Sequence, residues 1–334
     1  MVDLAILLPN LGSGGAERVM VNLSRALVGR GLKVDLVLGR AAGEFLPELD
    51  PRLRVVDLAA PRILQALPAL VRYLRREQPR AVLSSLPHLN LAALLARRWS
   101  GTASRLVIVE HGDVDLAAAH PRRAWERFFP VAMRWLYPQA DAAVAVSQGV
   151  ADGLVRHIRV PQEMITVIHN PVDIDDILQK AAAPLEHPWY RSGEPPLIVS
   201  AGRLAYPKDQ PTLLHAFALL RARRPARLLL LGEGEQHREL ELLAQQLGIQ
   251  AEVQFAGFQP NPFPYIAGAA VLALSSIKEG FGNVLVEALV CGTQVVSTDC
   301  PGGPADILDH GSFGWLVPVG DPAALADALE EALD

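Results

Sequence analysis

The stretch "LAILLPNLGSGGAERVMVNLSRALVGRGLKVDLVLG", Leu4 to Gly39, holds one complete unit of the fold. "LAILLP" is a short, unbroken apolar run, the mark of a strand buried on both faces. The loop "NLGSGG" follows it. "AERVMVNLSRALVGRG" then shows helical periodicity with a glycine stop at Gly31, and "KVDLVLG" is a second strand. Strand, helix, strand in this order predicts a crossover connection and parallel pairing. The rhythm continues through "LRVVDL", "RAVLSS", "RLVIVEHG", "DAAVAVS" and "MITVIHN". It breaks over residues 170–196, which hold Pro171, Pro184, Pro188, Pro195 and Pro196 and read as a linker. It restarts in "PLIVSAGR", "RLLLLGEGE", "VQFAGF", "AAVLALSS", "TQVVSTDC" and "GWLVPVGD". The expected architecture is α/β: two Rossmann-like parallel-sheet domains, 1–169 and 197–334, facing across a cleft. Ligands of such sheets bind beyond the C-terminal strand ends, so the loops after the strands are the places to look.

Composition narrows the class. A chain of 334 residues, half of them hydrophobic and 20% charged, has apolar material for two cores and does not read as disordered. A net charge of −5 supplies no basic field, so nucleic acid is not an expected partner. Cys291 and Cys300 have neither metal-ligand spacing nor the pattern of a disulfide framework, which fits a reducing cytosol. "MVDLAILLPN" puts Asp3, not a basic residue, ahead of its apolar run, so no signal peptide is expected. No apolar window is long enough for a transmembrane helix.

Four post-strand loops carry candidate chemistry. Gly12, Ser13, Gly14 and Gly15 precede a helix, where unpaired amides and the helix dipole favour an anion. The spacing is not a strict G-x-G-x-x-G, and Asp35 lies within the second strand rather than closing it as a ribose ligand. A tight strand-to-helix turn would leave the same pattern. "SSIKEGFGNVLVEAL", Ser275 to Leu289, sets Glu279 and Glu287 around a glycine turn. Gly280 and Gly282 allow a ligand close to the backbone, and Asn283 is a plausible N-cap. Eight residues along one helix separate Cα atoms by about 12 Å, a poor spacing for a hydrolytic acid pair but a good one for two contacts on a long ligand. "SAGRLAYPKDQ" places Arg203 and Lys208 after a buried strand, with a fork and a point charge suited to a diphosphate. "VIVEHGD" ends a strand on His111; a histidine satisfied by backbone groups is the plainer alternative. Two D-x-D patterns, Asp113 to Asp115 and Asp173 to Asp175, match a metal motif too short to be specific. Helix capping accounts for the second. No metal is expected.

Taken in order, "GGAERV", "HG", "VAVSQGVADGL", "VIHNPVD", "GRL…K", "GEGE", "KEGFGNVLVEAL" and "VSTDCPGGPADIL" resemble the retaining glycosyltransferases of family four, which have the GT-B fold. The resemblance spans almost the whole chain. It implies transfer of a hexose or N-acetylhexosamine from a nucleotide sugar, often UDP-linked, in bacterial cell-surface polysaccharide or lipid-linked oligosaccharide assembly, without metal or other cofactor. It implies that Glu279 contacts donor-sugar hydroxyls and helps position the reacting centre, and that Glu287 accepts from the ribose. Gly280, Phe281, Gly282 and Asn283, with Val284 and Leu285 after them, would bind the donor sugar and diphosphate. Arg203 and Lys208 would neutralise the diphosphate as it leaves. Gly14 and Gly15 would close over the donor from the first domain. His111 would sit near the reacting carbon. Gly232, Glu233, Gly257 and Phe258 would flank the base. Members of this family usually continue with a helix that returns to the first domain, beyond the point reached by "AALADALEEALD".

The acceptor is expected to be a glycan or a lipid-linked saccharide. "PRRAWERFFPVAMRWLYP" mixes Arg122, Arg123, Arg127 and Arg134 with Trp125, Phe128, Phe129, Trp135 and Tyr137, and "RILQALPALVRYLRR" is also basic and amphipathic. Both fit an interfacial helix on an anionic membrane, hence a cytoplasmic protein peripheral on its inner face. Packing on the first-domain sheet with arginines outward is the alternative. Rival functions are a sugar-nucleotide epimerase or hydrolase, a non-catalytic nucleotide-sugar-binding module, and an NAD-dependent oxidoreductase. The loose first glycine loop argues against the last.

Overall fold

The computed structural model describes residues 2–12, 14–60, 63–112 and 128–334, without the side chains of residues 63 and 64. The chain divides into two compact units, Met1–Pro171 and Val172–Asp334. In the first, seven parallel strands lie in the order β3-β2-β1-β4-β5-β6-β7. They are β1 (Leu4–Leu8), β2 (Val34–Leu38), β3 (Arg54–Asp57), β4 (Ala81–Ser85), β5 (Arg105–Glu110), β6 (Ala142–Ala145) and β7 (Ile165–Val167). In the second, six parallel strands lie in the order β10-β9-β8-β11-β12-β13. These are β8 (Leu197–Ala201), β9 (Arg227–Leu231), β10 (Val253–Gly257), β11 (Val271–Leu274), β12 (Gln294–Thr298) and β13 (Trp315–Val317). Every segment read as a strand forms one, because an apolar run flanked by helical periods has only a two-sided burial to satisfy.

Alternation within each strand loads both faces of the sheet. Leu228 and Leu230 of β9 pack under the helices Gln210–Arg221 and Pro322–Ala332, while Leu229 and Leu231 pack on the other side with Ile266, Leu285 and Ala288. In each unit the strand order reverses beside the first strand, at β1/β4 and at β8/β11. That reversal opens a crevice at the C-terminal strand ends.

The proline-rich segment 170–196 is not a free linker. All but its first two residues belong to the second unit. The helix Ile174–Ala181 is tied down by Asn261, whose Nδ2 donates to the Lys180 carbonyl at 2.9 Å. His187, Trp189 and Tyr190 pack edge-on with one another and Tyr265, and Arg227 stacks over Trp189. The prolines removed the strand and helix pattern, while the aromatic residues between them supplied the sheet with cover.

Candidate active site

In the second unit three adjacent strands end in glycines with positive φ: Gly202 after β8 (φ 156°), Gly232 after β9 (137°) and Gly257 at the end of β10 (69°). The strand ends are laced together, Gly202 N to Leu231 O at 2.9 Å and Gly232 N to Gly257 O at 2.8 Å. A Cβ on Gly232 would stand 2.0 Å from the Gly202 carbonyl, so only glycine closes this edge. Arg203 and Glu233 are exposed just beyond it, and Phe258 is 43% exposed.

Lys208 lies in the short turn Tyr206–Lys208, and its Nζ meets Glu279 Oε1 at 2.5 Å. Ser276 Oγ donates to the same oxygen, also at 2.5 Å. The Lys208 stem passes over Gly202, where an added Cβ would lie 3.5 Å from Cε. Three loops hold this cluster in place. Ser275 Oγ donates to the Lys208 carbonyl, Ile277 N to the Pro207 carbonyl, and Glu279 N to the Pro301 carbonyl. The last contact requires Gly302 (φ 131°), whose Cβ would lie 1.8 Å from the Glu279 carbonyl oxygen. Gly303 makes the same allowance for the Phe281 backbone, at 2.2 Å. The reading from sequence gave no role to these two glycines; their tight packing is a tertiary fact with no local signal.

The helix Asn283–Val290 starts one residue earlier than an N-cap at Asn283 would have it. Gly282 (φ 99°) is the cap residue and Asn283 the first helical one, because only a glycine turns the chain so sharply there. Gly280, Asn283, Val284 and Glu287 are partly exposed, whereas Phe281 is buried. The Leu285 side chain is wholly buried in the core, and its amide donates to the Gly282 carbonyl. Cys300 is buried beside this cluster, with its thiol pushed up to about 12 by burial, then by the Glu279 charge. It is no nucleophile at neutral pH.

In the first unit Gly14 caps the helix Gly15–Gly29 without a side-chain bond, and both glycines are exposed. The Glu17 carboxyl lies over Gly14, within 2.1 Å of where a Cβ would be. Burial raises the Glu17 pKa. Ser13 lies outside the described residues. Asp35 is buried, taken up by Arg54 and by the Tyr73 hydroxyl at 2.6 Å, so it serves packing.

His111 directly follows β5. Both ring nitrogens are buried with no hydrogen-bond partner among the described residues, so no described backbone group satisfies the ring. Burial pulls its pKa down to about 4, so the ring is a neutral donor and acceptor at pH 7. Beside it sit Glu110, Asn90 and Tyr137, three buried polar residues that sequence reasoning missed. Tyr137 had been grouped with the interfacial aromatics. It is fully buried, and its hydroxyl donates to Glu110. The only sequence signal was an acid closing an otherwise apolar strand.

Of the metal patterns, Asp113 to Asp115 lies outside the described residues. Asp173 Oδ1 accepts from the Asp176 amide as a helix N-cap. Among the described residues no group of three metal-ligand side chains forms.

The profile "Glycosyltransferase Family 4" matches residues 13–176, and "Glycosyl transferases group 1" matches 186–334. The chain is a GT-B glycosyltransferase of the family-four type. Among its relatives is a Campylobacter jejuni enzyme named N-acetylgalactosamine-N,N'-diacetylbacillosaminyl-diphospho-undecaprenol 4-alpha-N-acetylgalactosaminyltransferase, 29% identical across all of this chain and 91% of that one. A lipopolysaccharide core biosynthesis glycosyltransferase of Rhizobium meliloti is 29% identical over 95% of this chain and 85% of its own. The Anabaena protein HepE, solved with UDP and glucose, shares the fold with a TM-score of 0.79 at 20% identity, covering all of this chain and 90% of that one.

Proposed function

We propose that this glycosyltransferase moves a hexose or N-acetylhexosamine from a UDP-sugar to a lipid-linked or lipopolysaccharide saccharide, with retention and without metal. The observation that carries the reading is the Lys208–Glu279–Ser276 cluster at the C-terminal strand ends of the second unit. A lysine held on a carboxylate is poised to exchange that partner for a diphosphate, while Arg203 stands exposed nearby in the chain. Glu279, once relieved, accepts from donor-sugar hydroxyls, and Glu287 reads the ribose two turns along its helix. Exposed Phe258 and the Gly257 and Gly232 backbones border the base.

In the transfer, the acceptor oxygen bonds to the anomeric carbon on the face from which the diphosphate departs. The carbon–oxygen bond to the β-phosphate breaks, and the acceptor proton passes to that leaving oxygen. Lys208 and Arg203 answer the charge that develops there, so positioning and electrostatics supply the acceleration. His111, neutral, offers a hydrogen bond to a sugar hydroxyl. The names of the two curated relatives support the acceptor class. HepE bound to UDP supports the donor class.

The acceptor side includes an anionic membrane surface. Phe128, Val131 and Trp135 form a stripe at helical spacing on and beside the helix Phe129–Leu136, and Phe128 and Trp135 are 73% and 77% exposed. Arg134 is exposed beside them. Arg122, Arg123, Trp125 and Arg127 lie outside the described residues. The other basic helix, Ile63–Glu77, instead buries Ala66, Leu67, Leu70, Val71 and Leu74 and turns its arginines outward. No helix among the described residues is long and apolar enough to cross a membrane.

The test is a thermal-shift panel of UDP-, GDP- and ADP-sugars, followed by NMR of the product's anomeric configuration. Stabilisation by UDP-sugars, an anomeric configuration unchanged from the donor, and activity that survives EDTA are expected. A strict divalent-metal requirement, or inversion, would sink the reading.

A further inference from the structure

Glu110 closes β5 with a side chain 1% exposed. One of its oxygens receives two neutral donors. Asn90 Nδ2 reaches Oε1 at 2.8 Å, and the Tyr137 hydroxyl reaches the same atom. Asn90 comes from the helix Pro87–Ser100 after β4, and Tyr137 from the turn Tyr137–Gln139 before β6. The two strands flanking β5 therefore each send a residue to its end. The second oxygen, Oε2, is buried and unpartnered among the described residues, and so is Asn90 Oδ1. No Lys or Arg among the described residues pairs with this carboxyl. A buried carboxylate so placed is costly, whereas a carboxylic acid carries its proton on the oxygen that lacks a donor.

The same clamp fixes the backbone from which His111 projects. Asn90 Nδ2 also lies 3.2 Å from the Val109 carbonyl, and the Glu110 carbonyl accepts from Val146 N at 3.3 Å. The ring that follows has neither nitrogen engaged by a described residue, so its aim depends on this anchored strand end.

We infer that Glu110, clamped as a carboxylic acid by Asn90 and Tyr137, is a positioning residue for His111. The inference rests on the transferase reading only for what His111 does. Burial pushes the Glu110 carboxyl up to about 7, with the Tyr137 and Asn90 hydrogen bonds opposing it. Among the described residues, the titratable groups next to Glu110 are Tyr137, whose pKa burial raises far above its usual value, and His111, held neutral. Below pH 7 the cluster is uncharged. Above it, a buried carboxylate charge with no cation among the described residues appears at the strand end that carries His111, and its desolvation cost strains that end.

The experiment compares wild type with Glu110→Gln and Glu110→Ala by two independent readouts. The first needs no substrate: carbon NMR of labelled glutamate carboxyls and nitrogen NMR of the His111 ring, across pH 5 to 9. We expect one carboxyl with a midpoint near 7, missing in Glu110→Gln. We also expect a His111 signal below pH 6.5 that Glu110→Gln preserves and Glu110→Ala shifts. A midpoint in the ordinary carboxylate range, or a His111 signal indifferent to both substitutions, overturns the inference. The second readout is UDP release from UDP-N-acetylgalactosamine, or from whichever UDP-sugar of the panel is turned over. Wild-type kcat should fall about tenfold per pH unit above 7. Glu110→Gln should match wild type within about threefold at pH 6.5 and lose that alkaline fall, whereas Glu110→Ala should lose at least about tenfold in kcat with KM little changed. Equal losses in both variants at every pH mark a merely structural role and overturn it. Failure of the transferase reading shows separately, as wild type that turns over no UDP-sugar while the spectra still decide the clamp.

Discussion

Glu110 and Glu279 both lie on the C-terminal side of a parallel sheet, one in each unit: Glu110 ends β5, and Glu279 lies in the loop after β11. Their surroundings are opposite. Glu279 meets a lysine and a serine, and stays partly open to solvent. Glu110 meets an asparagine and a tyrosine, and is sealed. A carboxyl with a cation keeps its charge and can be recruited by a polar ligand. A carboxyl with neutral donors and no cation keeps its proton and serves as an anchor. One fold thus gives the same side chain two opposite settings, and the difference lies in what the neighbouring loops bring.

The largest effect should come from the open site. Glu279→Ala removes an acceptor from the donor sugar and leaves Lys208 without its partner. We expect kcat to drop about 10²- to 10³-fold with donor affinity changed far less, measured by UDP release beside calorimetry. Gly302→Ala attacks the same site through its scaffold. The methyl would collide with the Glu279 carbonyl at a strained φ, costing about 1–3 kcal/mol in denaturant unfolding together with activity. If Gly302→Ala unfolds normally and stays active, the three-loop account of the site is wrong.

Arg203→Ala should weaken UDP-sugar binding about tenfold, with kcat falling too, since a diphosphate loses one charge-assisted donor. At the sealed site, Tyr137→Phe removes a donor from a buried carboxyl and should cost about 1–3 kcal/mol. The pH dependence sharpens the contrast. Glu110 has its pKa raised above the unfolded value, so its contribution to stability is full below about 4.5 and is lost as pH rises through about 7. His111 is depressed, so its contribution holds above about 6.5 and is lost as pH falls towards 4. Melting curves of Glu110→Gln should therefore lack the decline between pH 5 and 8 that wild type shows. The smallest effect on folding should be that of Trp135→Ala, within about 0.5 kcal/mol, because the side chain is exposed. It should nevertheless reduce flotation with anionic vesicles. Unchanged flotation would return that helix face to an ordinary surface.

The residues of the proposed donor site could be picked out because their pattern is local. Glu279, Lys208 and Arg203 lie in loops directly after apolar runs, and glycines beside them announce close backbone approach. The clamp was not legible. Asn90 sits in a helix of otherwise apolar face, Tyr137 reads as one of a surface run of aromatics, and Glu110 looks like the polar end of a strand. Only their convergence, from positions 90, 110 and 137, makes them a site. The segment after Pro171 differs from its linker reading for a related reason: prolines are a strong local signal of a break, but the packing of His187 and Tyr190 on Tyr265 is a distant contact.

The amino-acid sequence by itself determined the parallel α/β halves, strand by strand, because strand burial writes itself into short periods, and the kind of reaction through its motif-by-motif resemblance to the family-four glycosyltransferases. The tertiary structure decided which carboxyl meets a cation and which meets only neutral donors among the described residues, which glycines cannot be replaced, and where the first unit ends. Those outcomes depend on burial and on partners brought from remote positions, and a local pattern carries no record of either.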